Sequence, residues 1–252
     1  MHDPVSFLRD DPALIVRSTP HRFHTTGQTL DFVRHMTGKK PWTADMLHLV
    51  SDYAAEQLLS KGMKREDLLA SFEALKRLWD TFEVFVIEIC ARREFEADLG
   101  QGRYRLVNTF TQRDQERYAQ ELADQAARGL SLPAFPIRMR QQSGPELQQD
   151  MADIRRLLRD RPVIWVSHMR PGGEDPRYSL VNKIREQGAK VLQDSASLLG
   201  DQFFDPSSVV PEMGIEQFFQ KGGEDLDHLT PEAAKRLAQI YKTMILKASY
   251  PA

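Results

Sequence analysis

Apolar positions along the chain follow two periods, and their alternation sets the expected architecture. Short β-branched runs mark strands. Ala13-Leu-Ile-Val-Arg17, closed by Ser18-Thr19-Pro20, has the pattern of a buried strand. Phe82-Glu-Val-Phe-Val-Ile-Glu-Ile-Cys90 is a second run, suited to a parallel strand covered on both faces. Arg161-Pro-Val-Ile-Trp-Val-Ser167-His-Met is a third, and Gly188-Ala-Lys-Val-Leu-Gln193 a fourth. Between them the period changes to that of helices. Leu30, Phe32, Val33 and Met36 predict a short helix after a polar loop, His21 to Thr29, and it stops near Gly38 and Pro41. Residues 43–80 predict two helices divided at Gly62, with Leu68, Leu69, Phe72, Leu75 and Leu78 as a core stripe. A helix through Leu180, Val181 and Ile184 follows the loop Pro171–Pro176. The last helix spans about 231–247 and packs through Ala234, Leu237, Ile240, Tyr241 and Ile245.

Residues 111–160 differ from the rest. They are rich in charge and glutamine and hold no strand candidate, and they predict helices at about 111–128 and 145–159 around Leu132-Pro-Ala-Phe-Pro136. Strands alternating with helices imply an α/β fold, a three-layer α/β/α sandwich with a mainly parallel sheet. The whole chain, 1–252, is expected to form one such domain, with a helical insertion at about 111–160. Ligands of such sheets bind beyond the carboxyl ends of the strands. The polar groups there are Ser18 to Thr29, Cys90 to Arg93, and Ser167 with His168.

Composition narrows the chemistry. A net charge of −2 gives no general electrostatic reason to expect nucleic acid or an acidic membrane as partner. The single cysteine, Cys90, excludes a disulfide framework and a cysteine-rich zinc site. Charges at Asp3, Arg9, Asp10, Asp11 and Arg17 argue against a signal peptide, and no apolar run reaches the length of a membrane span. The expectation is a cytoplasmic protein without cofactor or metal. His21, His24, His168 and His228 lack the close spacing of a metal-ligand set.

The most informative segment is Asp225-Leu-Asp-His228-Leu-Thr-Pro-Glu. Thr230 is a good N-cap, Pro231 suits the first helical position, and Glu232 favours the positive end of the helix dipole. A histidine held by a carboxylate just outside a helix start is a candidate general base. Asp225 is the expected orienting group, with Asp227 its competitor. A polar loop before a helix is the plainer alternative.

These blocks resemble the SGNH/GDSL hydrolase superfamily, mostly esterases and acyl hydrolases with a flavodoxin-like fold. The resemblance covers roughly residues 13–37, 82–93 and 162–245. It implies that Asp225 orients His228 and that His228 activates a serine. His24-Thr-Thr26-Gly27-Gln-Thr29 is similar to the block whose glycine amide helps bind the oxyanion. Cys90-Ala-Arg92-Arg93 lies where that family carries Gly-x-Asn-Asp, so Cys90 stands at the glycine and Arg92 at the asparagine. Arg92 is then a donor to an oxyanion or anion of a different, charged and planar kind. Arg92, Arg93 and Arg170 are candidates for binding a phosphate or uronate, or else solvated surface residues.

The family's first block, a strand ending in a Gly-Asp-Ser-like turn, is not matched. Met1-His-Asp-Pro-Val-Ser-Phe-Leu reads as the start of the helix after such a turn, which places the serine upstream of Met1. A looser likeness is to SGNH-like proteins of bacterial polysaccharide gene clusters. Ser6, Ser18 and Ser167 are the substitutes within the chain, each more typical of a turn or strand end. Cys90 is expected to be a buried inert thiol, or a thiolate if Arg92 and Arg93 lower its pKa. His24, Thr26, Ser167 and His168 complete the expected substrate or oxyanion pocket. Two functions follow. One is an ester hydrolase or acyltransferase acting on an O-acyl ester, with a small-molecule or carbohydrate substrate. The other is a non-catalytic SGNH-like protein binding a sugar or anionic ligand in polysaccharide biosynthesis.

Overall fold

A computed structural model describes residues 4–17, 23–42, 65–98, 103–106 and 138–250. In chain order the principal elements are α1 (Pro4–Leu8), α2 (Thr26–Met36), α3 (Arg65–Leu78), β1 (Phe85–Ile89), β2 (Arg93–Asp98), β3 (Arg103–Leu106) and β4 (Arg138–Gln141). Then come α4 (Gly144–Leu158), β5 (Val163–Ser167), α5 (Ser179–Leu199), β6 (Gln202–Phe204), β7 (Asp225–Leu229) and α6 (Pro231–Ser249). One-turn helices lie between β6 and β7. The chain divides into two compact units. One holds residues 1–19, 83–90 and 159–252, the other 20–82 and 91–158.

The first unit is built on a parallel sheet in the order β1-β5-β6. β5 is central and all five of its residues are buried, which explains its unbroken apolar run. Ile164 and Val166 face a cluster with Leu8 of α1 and Ala238 and Tyr241 of α6. Strand alternation turns Val163 and Trp165 to the other face, and α5 packs along β5 and β6. Helices therefore cover both faces, in agreement with an α/β/α arrangement. The expected last helix is found as α6, with Thr230 Oγ1 accepting from Ala233 N at 3.2 Å.

Several expectations need correction. Leu14–Arg17 is not a strand: Leu14 and Val16 pack on the core beside β5 while Ile15 is exposed, and this alternation has no ladder partner among the described residues. β1 is covered on one face only, since Val86 and Glu88 are exposed. Residues 188–193 are not a strand but lie inside α5. Ala189, Leu192 and Ala196 are spaced three and four apart and form its buried stripe, and Gly188 is tolerated within the helix. The third strand of the sheet is instead the short β6.

The second unit holds an antiparallel sheet in the order β3-β2-β4, with α2 packed on α4. No strand was expected in 138–141, and the sheet as a whole is not the parallel kind. β4 precedes α4, the helix expected at 145–159. The helix expected at 111–128, the one before Gly62, and Ser18, Thr19 and His21 lie outside the described residues. No helix among the described residues is long and apolar enough to cross a membrane.

Candidate functional site

In the first unit, polar groups gather beyond the carboxyl ends of β1 and β5. A turn at Lys221–Gly223, all three residues in the left-handed region, folds the chain back so that Gln220 bridges Asp225 and Phe219 bridges Leu229. This antiparallel step carries Asp225 and His228 on β7, just before α6. His228 Nδ1 lies 2.8 Å from both carboxylate oxygens of Asp225. The hydrogen bond from His228 holds the Asp225 pKa below its usual range. The carboxylate is therefore ionised and can only accept, so Nδ1 carries a proton and donates it to Asp225. The ring is about one-third exposed, at 34%, which leaves it reachable.

Asp227 does not compete for His228. It accepts from Arg185 Nη2 at 2.5 Å and lies 3.2 Å from His168 Nε2. Those partners, His168 first and then the Arg185 charge, keep it ionised well below the usual carboxylate range. Arg185 is anchored by Met169 O and Leu226 O at 2.7 and 3.0 Å. Burial disfavours a charged His168, yet the carboxylates of Asp227 and Glu88 outweigh it and raise its pKa.

Cys90 stands beside His168, because β1 and β5 pair in parallel with Ile89 opposite Ser167. Its thiol donates to Glu88 Oε1 at 3.5 Å. Burial, and then the Glu88 charge, push the Cys90 pKa well up. Of the two readings of Cys90 this direction favours the buried thiol, since the Glu88 carboxylate outweighs the opposing Arg185 charge. Ser167 is buried at 1% exposure and its Oγ has no hydrogen-bond partner among the described residues.

The remaining expected site residues belong to the second unit. Thr26 and Gly27 are not in a loop but in the first turn of α2, which Thr25 and Gln28 close as a capping box. Gly27 is required by packing, since a Cβ there would meet Glu94 Oε1 at 2.2 Å. A carboxylate thus covers the glycine expected to serve an oxyanion. Thr26 Oγ1 donates to Asp150 at 3.2 Å. His24 is pinned through its backbone, its N–H donating to Gln28 Oε1 and its carbonyl accepting from Ala91 N. Arg92 directs Nε and Nη2 at Gln142 O, at 3.0 and 2.6 Å, and so clamps two strand ends. Arg170, which lies in the first unit, is likewise engaged, with Asp205 at 2.8 Å.

Sequence reasoning missed a buried polar network here. Glu94 accepts from Thr25 and Arg140, Asp31 pairs with Lys40 and Arg105, and Gln142 donates to Asp150 at 2.6 Å. Burial raises the Asp150 pKa to about 6, with Arg105 opposing it. An open cleft of about 340 Å³ adjoins Asp150, Arg105 and Arg140. The only sequence signal was the alternation of charge in Arg93-Glu-Phe-Glu-Ala-Asp98, which reads as a solvated surface.

Fold and site together define an α/β protein with a hydrogen-bonded Asp–His couple beyond the carboxyl edge of a parallel sheet. A family model described as the TviD N-terminal domain matches residues 2–243. The chain belongs to that family, a match that points to a protein of a polysaccharide gene cluster. No curated protein gives a match.

Proposed function

We propose that this chain serves polysaccharide biosynthesis as an SGNH-like ester hydrolase or acyltransferase acting on an O-acyl ester of a carbohydrate. The observation that carries this reading is the Asp225–His228 couple, with Nδ1 held 2.8 Å from both carboxylate oxygens. That arrangement fixes the tautomer and leaves Nε2 free to take a proton from an attacking hydroxyl. Asp225 then stabilises the imidazolium. The proton returns from Nε2 to the leaving alcohol, and a second hydroxyl, water or an acceptor sugar, completes hydrolysis or transfer. Family membership supports the carbohydrate context.

The test is acetate release from O-acetylated saccharides by wild type, His228→Ala and Asp225→Asn. Loss of the base is expected to lower kcat by about 10²- to 10⁴-fold. Because the His228 ring is partly exposed, its melting temperature should barely move. Labelling with a fluorophosphonate followed by peptide mapping identifies the nucleophilic serine. Full activity in His228→Ala would remove the base from the reaction. Saturable saccharide binding, unchanged in that variant and without turnover, would favour the non-catalytic binding protein.

A further inference from the structure

Three side chains at the carboxyl end of the parallel sheet take no part in the Asp225–His228 couple. They are Glu88, Cys90 and His168, whose ligand atoms all lie within 4.8 Å of one another. Their placement follows from the strands. Glu88 and Cys90 are two residues apart and so project to one face. His168 stands one residue past Ser167, which pairs with Ile89, so it is the register neighbour of Cys90.

The spacing is near that around a small tetrahedral cation. Zinc bonds of about 2.0 Å to oxygen or nitrogen and about 2.3 Å to sulfur place an oxygen roughly 3.3 Å from a nitrogen and roughly 3.5 Å from a sulfur. Glu88 Oε1 lies 3.5 Å from Cys90 Sγ and 3.8 Å from His168 Nδ1. That second separation is too long for a hydrogen bond. Nδ1 is buried and has no hydrogen-bond partner among the described residues, a costly arrangement for a ring nitrogen beside a carboxylate.

The other ring nitrogen is prepared as well. His168 Nε2 faces Asp227 Oδ1 at 3.2 Å, and Arg185 fixes that carboxylate at 2.5 Å. A carboxylate behind the distal nitrogen of a histidine sets the tautomer that leaves the near nitrogen as a ligand. Cysteine, histidine and carboxylate together select a borderline-soft first-row ion, with Zn²⁺ and Co²⁺ foremost. A thiolate and the Glu88 carboxylate would balance the charge of the ion.

We infer that Glu88, Cys90 and His168 form a binding site for one Zn²⁺-like divalent ion, with Asp227 and Arg185 orienting His168. Three protein ligands leave a fourth position for water or a ligand oxygen. Glu88 is about half exposed, with side-chain exposure of 49%, so the site opens to solvent on its side.

Cys90 is the only cysteine in the chain, so a thiolate-to-metal transition reports on this site alone. The experiment titrates tag-free, chelator-stripped protein with Co²⁺ in a thiol-free reductant. One equivalent is expected to give a near-ultraviolet thiolate-to-cobalt band and the intense visible bands of tetrahedral Co²⁺, and one equivalent of Zn²⁺ should bleach both. His168→Gln should weaken Co²⁺ binding more than about tenfold, and Asp227→Asn by roughly 10- to 100-fold. Cys90→Ala should abolish the charge-transfer band. Absence of that band in the wild-type protein overturns the site without reference to any variant. Equal Co²⁺ affinity in wild type and a folded His168→Gln protein does so too. Retention of the band in His228→Ala is expected, which separates this site from the proposed base.

Discussion

Asp150 and His35 are both buried in the second unit, and burial moves their pKa values in opposite directions. Asp150 rises from 3.8 to about 6, while His35, stacked on Trp42 and accepting from Trp42 N at 2.9 Å, falls from 6.5 to about 4. A raised carboxylate pKa gives stability that is present below the unfolded value and lost as pH climbs through about 6. A lowered histidine pKa gives stability that is present above 6.5 and lost as pH falls through about 4. Between pH 4 and 6 the two slopes oppose each other. Asp150→Asn removes the first and should expose the second. Relative to wild type, its stability should gain on the order of 2 kcal/mol from pH 4 to pH 7. Urea denaturation across that range checks this, and parallel curves for the two proteins would contradict it. At this scale the Asp225–His228 couple was readable, because three residues on one strand suffice to join them. The pairing of Asp227 with His168, across a separation of 59 residues, was not.

The turn ahead of β7 shows how an element can be set by backbone conformation. Gly223 has φ of +91°, and a Cβ there would lie 2.7 Å from Ile215 Cγ2. Gly222, at φ +65°, has open space around it. Gly222→Ala should therefore cost only the left-handed penalty, about 1 kcal/mol, whereas Gly223→Ala adds a steric clash and should cost about 2–3 kcal/mol. Thermal melts should place the second variant several degrees below the first. Its activity should fall as well, because the turn positions Asp225 two residues on. Equal melting temperatures would show that Ile215 moves aside freely. Among elements, α6 was readable because Thr230, Pro231 and the apolar stripe agree with one another. β2 was not, because Glu94 and Glu96 are buried by ion pairs with Arg140 instead of facing water. Residues 188–193 misled for another reason: a short apolar pair, Val191–Leu192, behind a glycine sits on a helical spacing that α5 buries.

On the scale of the molecule, each unit is assembled from separated stretches of chain. β5 is the hub of the first, paired with both β1 and β6. Trp165 on β5 is fully buried and donates its Nε1–H to Asp201 at 3.0 Å. Trp165→Ala should cost about 3–5 kcal/mol and raise amide exchange in β1, β5 and β6 together. Exchange confined to β5 would show that the three strands do not open as one. Features that depend on near neighbours were legible in the chain. It marked β1, β5 and α6, their alternation as an α/β chain, and the carboxylate that holds His228. Those features follow from local spacing, capping and apolar periodicity. Tertiary structure alone decided the rest. It left Leu14–Arg17 without a strand partner, built an antiparallel sheet from charged segments, covered Gly27 with Glu94, and brought Glu88, Cys90 and His168 together. Each of these depends on groups distant in sequence that desolvate or neutralise one another, and no local pattern encodes such a pairing.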